Sequence, residues 1–417
     1  MKYSLNKLFY IFIFISLVNC SDDNEIPEEI IPPVPVIDNS YVLAVKNGGA
    51  ESFLFDKNGE ELFKWTFDSN LGNDLELLPD GKLIGMFKTA TPSFTFGGYG
   101  GIVKILNLDG SVNWEYEYAS ENYLGHHDVE LLPNGNVLFL AWERISATAA
   151  KQAGVDTEFD IYPEVLIEVD PDTDNIVWEW HSFDHIIQDR FSNISTFGDV
   201  GDNPQLIDFN YALRENGDIM HANGIDYDRT KDVIYVSINF YSEVWVIDHS
   251  TTKEEARTTS GGNFGKGGNL IYRFGNPEAY NNTRGVRLFY NNHFPNFLEN
   301  DEPGAGNVLI YVNKDKNADQ SAVYELKMPE TFNLASNTNN EPEIVWSFTD
   351  TELFYQRISG AVRLKNGNTL ICEGDFGFWE VATGGEVVWK FDGNDQGDYW
   401  RSYAYGINSL EVMSLGL

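Results

Sequence analysis

The chain has 417 residues, a formal net charge of −36 and an aromatic content of 14%. So acidic a surface repels phosphate backbones and anionic lipid, which excludes nucleic acid as a partner. Its 21 Tyr, 28 Phe, 10 Trp and 37 Gly favour many short strands and tight turns over helices.

Lys2 and Lys7 flank the start of an apolar run from Leu8 to Val18. That run is too short to span a bilayer, so residues 1–19 read as a signal peptide. Its end, Leu17-Val18-Asn19-Cys20, resembles a bacterial lipobox, with Cys20 as the acylated first residue of the mature chain. The acidic start Ser21-Asp22-Asp23-Asn24-Glu25 resembles the export signals of Bacteroidetes lipoproteins. The expectation is an outer-membrane lipoprotein of the cell envelope, periplasmic or surface-exposed. Residues 20–40, with Pro27, Pro32, Pro33 and Pro35, read as a stiff acidic tether. With Cys20 acylated, Cys372 is the one remaining thiol, so an internal disulfide is not expected.

Two patterns alternate over residues 41–417. The first is an apolar strand, an Asn-Gly or Asp-Gly turn and a second apolar strand: LELLPDGKLIGMF (75–87), VELLPNGNVLFLAW (129–142), NYALRENGDIMHA (210–222) and AVRLKNGNTLICE (361–373). Asn-Gly and Asp-Gly suit turns in which both central residues take positive φ. The second pattern closes on Trp, as in FLFDKNGEELFKW (53–65), VKILNLDGSVNW (103–114), LIEVDPDTDNIVWEW (166–180) and FWEVATGGEVVW (379–389). About six copies of a four-stranded unit result, which predicts an all-β chain folded as a six-bladed β-propeller. The closing Trp is expected to pack between adjacent blades. A sandwich of unrelated hairpins is the competing arrangement.

Function in a propeller gathers where the innermost strands converge, and histidines lie at the starts of several copies. The chain has seven: His126, His127, His181, His185, His221, His249 and His293. His126-His127-Asp128 opens copy two, His185 leaves copy three, His221-Ala222-Asn223 opens copy four and His293 precedes a strand of copy five. Converging imidazoles serve a metal, hold an anion or supply a nucleophile. No HxH or HExxH spacing occurs, and the residues alone do not choose among these chemistries.

Several stretches resemble the arylsulfate sulfotransferase family, in family order over about 75–390: HHDVELLPNGNVLFL, IVWEWHSFDHIIQD, HANGIDYD, SEVWVIDHSTT, SGGNFGKGGNLIYRFGNP, PGAGNVLIY and GNTLICEG. The resemblance implies a six-bladed propeller and sulfuryl transfer without PAPS, from an aryl sulfate donor to a phenolic acceptor, through a sulfohistidine. It implies no cofactor and no metal. The family's nucleophile falls on His293, its HxN pair on His221 and Asn223, and its upstream pocket histidine on His127, with His126 in reserve. His221, Asn223 and His127 are then expected to hold the sulfuryl oxygens, with His185 beside them. An Arg that family members carry after HxN is replaced by about Asn239, with Arg357 or Arg190 as substitute cation. The flank Asn291-Asn292-His293-Phe294 also departs from the family's Gln-His-Asp. Those departures keep open a second reading, a non-catalytic propeller lipoprotein that binds a sulfated or aromatic ligand.

Three segments look functional and read as structural. GGNFGKGG (261–268) lacks the Ser or Thr and the helix of a phosphate loop. Asp170, Asp172 and Asp174 begin like a calcium loop that lacks its Gly and Glu. His249 is expected to cap a turn.

Overall fold

The computed structural model describes residues 35–314, 320–393 and 398–417. The signal peptide, Cys20 and most of the tether lie outside the described residues. Residues 35–417 form one compact unit of mainly antiparallel sheet, with a short parallel pair at Ile186–Ile187 and Ile207–Asp208. Four sheets are four-stranded, and one eight-stranded sheet consists of two four-stranded halves joined only at Asn73 and His127. The inner strands touch in a closed circuit. Leu71–Leu77 meets Tyr123–Leu131, and the contacts continue through Ala222–Asp228, Tyr290–Phe297, Gly360–Arg363 and Tyr399–Gly406 back to Leu71–Leu77. The chain is an all-β propeller.

Burial explains the sequence pattern. The middle strands Val233–Ile238 and Glu243–Asp248 are buried at every position, because neighbouring sheets cover both faces. They therefore read as mostly apolar runs, with Ser237, Glu243 and Asp248 as the buried polar exceptions. Outer strands such as Val387–Asp392 bury part of one face only. Four of the closing tryptophans tie one four-stranded unit to the next. Trp114 Nε1 donates to Asp174 at 2.9 Å, Trp178 to Thr251 at 3.1 Å and Trp346 to the Thr383 carbonyl at 3.0 Å. Trp389 donates to the Lys57 carbonyl at 2.7 Å, linking the last sheet to the first. The expected packing of the closing Trp is met at these four; among the described residues Trp65 Nε1 has no hydrogen-bond partner, and the strand Tyr272–Phe274 closes on Phe.

Two local expectations are corrected. In the Leu-Pro-Asp/Asn-Gly turns only the Gly takes positive φ, 81° at Gly81 and 88° at Gly135. Pro79 and Pro133 favour a type I turn, and Gly81 N–H returns to Leu78 O at 2.9 Å. Secondly, NYALRENGDIMHA forms no hairpin; the first hairpin of that sheet pairs Ala222–Asp228 with Val233–Ile238. The Asn216-Gly217 turn instead delivers Asp218 to His221.

The ring is closed by Tyr399–Gly406, which pairs with Ser40–Lys46. No local pattern announces this. The strand carries Trp400 and Arg401 into the centre.

His249 does more than cap a turn. It bridges Asp232 at 2.7 Å and Glu168 at 2.9 Å. Burial works against its charge, yet the two carboxylates raise its pKa to about 9. A raised imidazole stabilises the fold fully below its ordinary value of 6.5 and loses that contribution as pH climbs through about 9. Urea unfolding of the wild type is expected to show roughly 2 kcal/mol less stability at the alkaline end of that window, allowing for solvent around Asp232. His249→Gln should flatten the slope; a variant with the wild-type slope would refute the assignment.

Candidate functional site

The inner strands are irregular where they approach one end of the ring. Register shifts fall between Leu71 and Leu75, His126 and Val129, Ala222 and Gly224, and His293 and Pro295. Non-glycine residues take positive φ there: 55° at His127, 54° at His221 and 54° at Phe294. Such conformations cost energy and persist only where the surroundings enforce them. Two of the bulges hold Asn73 and His127, which line a central cavity.

That cavity, of about 410 Å³, is lined by His127, His221 and His293, with Lys314, Arg357 and Trp400. Amides from Asn47, Asn73, Asn239, Asn291 and Gln356 complete its polar wall, and no carboxylate among the described residues lines it. In a protein with 64 acidic and 28 basic side chains, that exclusion marks an anion site. A larger cavity of about 880 Å³, near Asp38, Asn366 and Asn408, has no histidine in its wall.

Each pocket imidazole has Nδ1 engaged, which leaves Nε2 for the cavity. His293 Nδ1 lies 2.5 Å from Asn313 Oδ1. The Asn313 amide nitrogen donates to Tyr355 O and Ile358 O at 3.0 and 2.9 Å, so its oxygen must face the ring. His293 therefore carries its proton on Nδ1 and a lone pair on Nε2. Burial drives its pKa down to about 3 against the Asn313 bond, with the positive charges of His221 and Arg401 adding to the fall. The ring is neutral.

His221 is the opposite case. Burial disfavours its charge, but Asp218, 2.6 Å from Nδ1, overcomes this and raises the pKa. Its ring stacks on Phe240 at 4.8 Å, and the Arg214 guanidinium lies 3.6 Å from that Phe240 ring. His127 stands edge-on to His221 at 4.9 Å between ring centroids. Burial and the surrounding imidazoles hold its pKa well below the ordinary value. Asp218 thus favours charge on the His221 ring, while burial favours the neutral form of the other two.

Not every expected residue reaches it. His185 does not: it hydrogen-bonds Asn269 and the Ala256 carbonyl, both at 3.0 Å, and stacks on Trp180. His126 is fully buried behind His127. Asn223 and Asn239 direct their amide N–H groups to the carbonyl of Asn292, at 2.8 and 3.1 Å, joined there by Ser237 Oγ at 3.2 Å. These donors fix the backbone immediately before His293; Asn239 still borders the cavity, while Asn223 does not. Arg357 lines the mouth and Arg190 pairs with Asp156 instead. Asp170 accepts from Asp172 N–H and Thr173 Oγ1 as an ordinary turn. Among the described residues no group of three His, Cys, Asp or Glu is placed to hold a metal.

Residues without a motif complete the site: Asn313, Asp218, Lys314, Trp400 and, beneath the floor, Arg401. Lys314 ends the middle strand Val308–Lys314, which is buried at all its other positions, so no periodicity marks it in the sequence.

Residues 38–396 match the family model described as Arylsulfotransferase (ASST). No curated protein matches the chain. Among solved structures, a protein of unknown function from Bacteroides caccae is 14% identical, aligned over 88% of this chain and 99% of its own, with a TM-score of 0.50. The WD40 domain of Toxoplasma gondii coronin is 8% identical over 88% of this chain and 68% of its own, at 0.41. A β-propeller domain of Cps50 (Swd1) from Myceliophteria thermophila is 11% identical over 86% and 88%, at 0.38.

Proposed function

The chain belongs to the arylsulfotransferase (ASST) family, and on that footing we propose that it moves a sulfuryl group from an aryl sulfate to a phenol without PAPS, through a sulfohistidine at His293. The observation that carries this reading is the neutral His293 ring, its Nε2 left free beside a cationic cavity in whose wall no carboxylate stands among the described residues. His293 attacks sulfur, and a phenolate leaves. The His221 imidazolium, with Lys314 and Arg357, offsets charge on the sulfuryl oxygens where water is scarce. Lys314 and Arg357 take the place of the family Arg missing at Asn239. Phe240 and Trp400 supply apolar wall for the aryl ring. We also count the two halves of the eight-stranded sheet as separate blades, which makes six, and assign the chain to the outer membrane as a lipoprotein anchored at Cys20.

The test is the incubation of purified protein with 4-nitrophenyl sulfate and a phenol. Release of 4-nitrophenol that requires the acceptor supports the transferase. Release without acceptor indicates a sulfatase, and binding of aryl sulfates without any release indicates the non-catalytic reading.

The pocket wall gives a second test. A Cβ on Gly98 would fall 2.0 Å from His127 Nε2, at a φ of 78°. Gly98→Ala must displace that ring, and kcat/KM should fall on the order of 10²-fold. A variant within threefold of wild type, roughly 0.6 kcal/mol, would place His127 outside the reaction.

A further inference from the structure

A line of three titratable side chains runs inward from the cavity. His127 Nδ1 lies 2.7 Å from Nδ1 of His126, and His126 Nε2 lies 2.8 Å from Glu164 Oε2. His126 and Glu164 are 0% and 1% exposed. The line is held on every side. His126 stacks on Trp142 with centroids 3.7 Å apart. Trp142 Nε1–H and Ala222 N–H donate to the second oxygen of Glu164 at 3.2 and 2.8 Å. The charged groups around it are Asp218 and His221 on one side and Asp128, paired with Arg401, on the other.

The donor and acceptor rules leave this line few states. Each contact needs one proton and one lone pair, and a neutral imidazole has one of each. When Glu164 is ionised, His126 holds its proton on Nε2, His127 holds its own on Nδ1, and His127 Nε2 offers a lone pair to the cavity. When Glu164 is protonated, it donates to His126 Nε2, His126 donates from Nδ1 to His127 Nδ1, and His127 Nε2 carries an N–H into the cavity. The two states differ by one proton. Burial raises the Glu164 pKa well above the carboxylate range and lowers both imidazoles, and each shift favours the uncharged second state.

We propose that Glu164, His126 and His127 form a proton store that acts as acid in the first half-reaction and as base in the second. This rests on the sulfuryl-transfer reading above. In the first half, the His293 Nε2 lone pair forms the N–S bond and the S–O bond breaks with its electron pair on the phenolate. His127 Nε2 gives its proton to that oxygen, the His126 Nδ1 proton moves to His127, and the Glu164 proton moves to His126. Glu164 is left ionised, facing the His221 charge. In the second half the acceptor hydroxyl bonds to sulfur and the N–S pair returns to His293. The acceptor proton then enters at His127 Nε2, and the shifts reverse to reprotonate Glu164. The His221 imidazolium, held by Asp218, keeps its proton throughout. His127 is the catalytic residue; His126 and Glu164 are positioning residues that act through it.

The experiment compares phenyl sulfate with 4-nitrophenyl sulfate as donors to one phenol. Nitrophenolate leaves without protonation, and phenolate does not. Glu164→Gln fixes the line in its donor state, and His126→Phe keeps the stacking on Trp142 while cutting the line. For either variant the loss in kcat/KM should be about 10²-fold greater with phenyl sulfate than with 4-nitrophenyl sulfate. A solvent isotope effect present in the wild type with phenyl sulfate should vanish. Equal losses with both donors, or none with either, would overturn the proton store while leaving the transferase standing. Wild type inactive toward both would remove the reading beneath it. Should neither variant fold, the wild type alone decides. A shallow dependence of rate on leaving-group basicity, with an isotope effect, agrees with the store; a steep one without it refutes the store.

Discussion

His293→Ala is expected to lower acceptor-dependent release of 4-nitrophenol by about 10⁴-fold or more, as removal of a covalent nucleophile does elsewhere. Three features of the ring support so large an effect. Its proton is confined to Nδ1 by Asn313, whose orientation is set by the carbonyls of Tyr355 and Ile358. Its pKa of about 3 keeps the lone pair on Nε2 free at any physiological pH. Its backbone is clamped by three donors on the Asn292 carbonyl. His293→Gln should be as inactive, although its amide can still reach Asn313, because an amide carries no basic nitrogen. In the wild type, donor supplied without acceptor should leave one sulfuryl group on the protein, detectable by intact mass. The adduct should be absent from both variants. A variant that keeps more than about a tenth of the rate, a barrier change under 1.4 kcal/mol, would exclude His293 as the nucleophile.

The histidines are legible in the sequence and most of their partners are not, for a physical reason. His127, His221 and His293 stand out because the chain has few imidazoles and because each lies at the start of a repeated strand. Asn313, Asp218 and Glu164 act on them through single contacts between ordinary polar residues, which leave no spacing to read. Arg401 and Asp128 are 273 residues apart and meet only because the last strand closes the ring. His185 lies in a stretch that resembles the family, yet a 3₁₀ turn at Ser182–His185 carries it away from the axis, under Trp180. Asn223 and Asn239 stand beside the site in a role other than the expected one, since their amides hold a backbone rather than a ligand. The Asn216-Gly217 turn signal is genuine but serves a loop, because Asp218 is needed beside His221.

Arg401→Leu is expected to cost about 3–5 kcal/mol of folding free energy, the usual consequence of leaving a buried partner charge unpaired. The guanidinium is 1% exposed and holds Asp128 through both oxygens at 2.7 and 3.1 Å, with Asp74 and the Tyr403 hydroxyl each at 3.2 Å. Its plane lies 3.8 Å from the centre of the Phe294 ring, next to His293, and it approaches the Asn223 carbonyl at 3.4 Å. Asp128 in turn accepts the Ile225 N–H at 2.7 Å. One side chain therefore joins the inner strands that carry His127, Asn223 and His293. Removing it strands the Asp74 and Asp128 carboxyls, both buried, where like charges repel strongly. The deficit should shrink as pH falls, because protonating Asp74, whose pKa burial and the Asp128 charge already raise, relieves the repulsion, and Asp128→Asn in the same background should restore part of the loss. Urea unfolding followed by Trp fluorescence measures each step. A deficit below about 1 kcal/mol would mean that the inner strands hold their bulges without the Arg401 network.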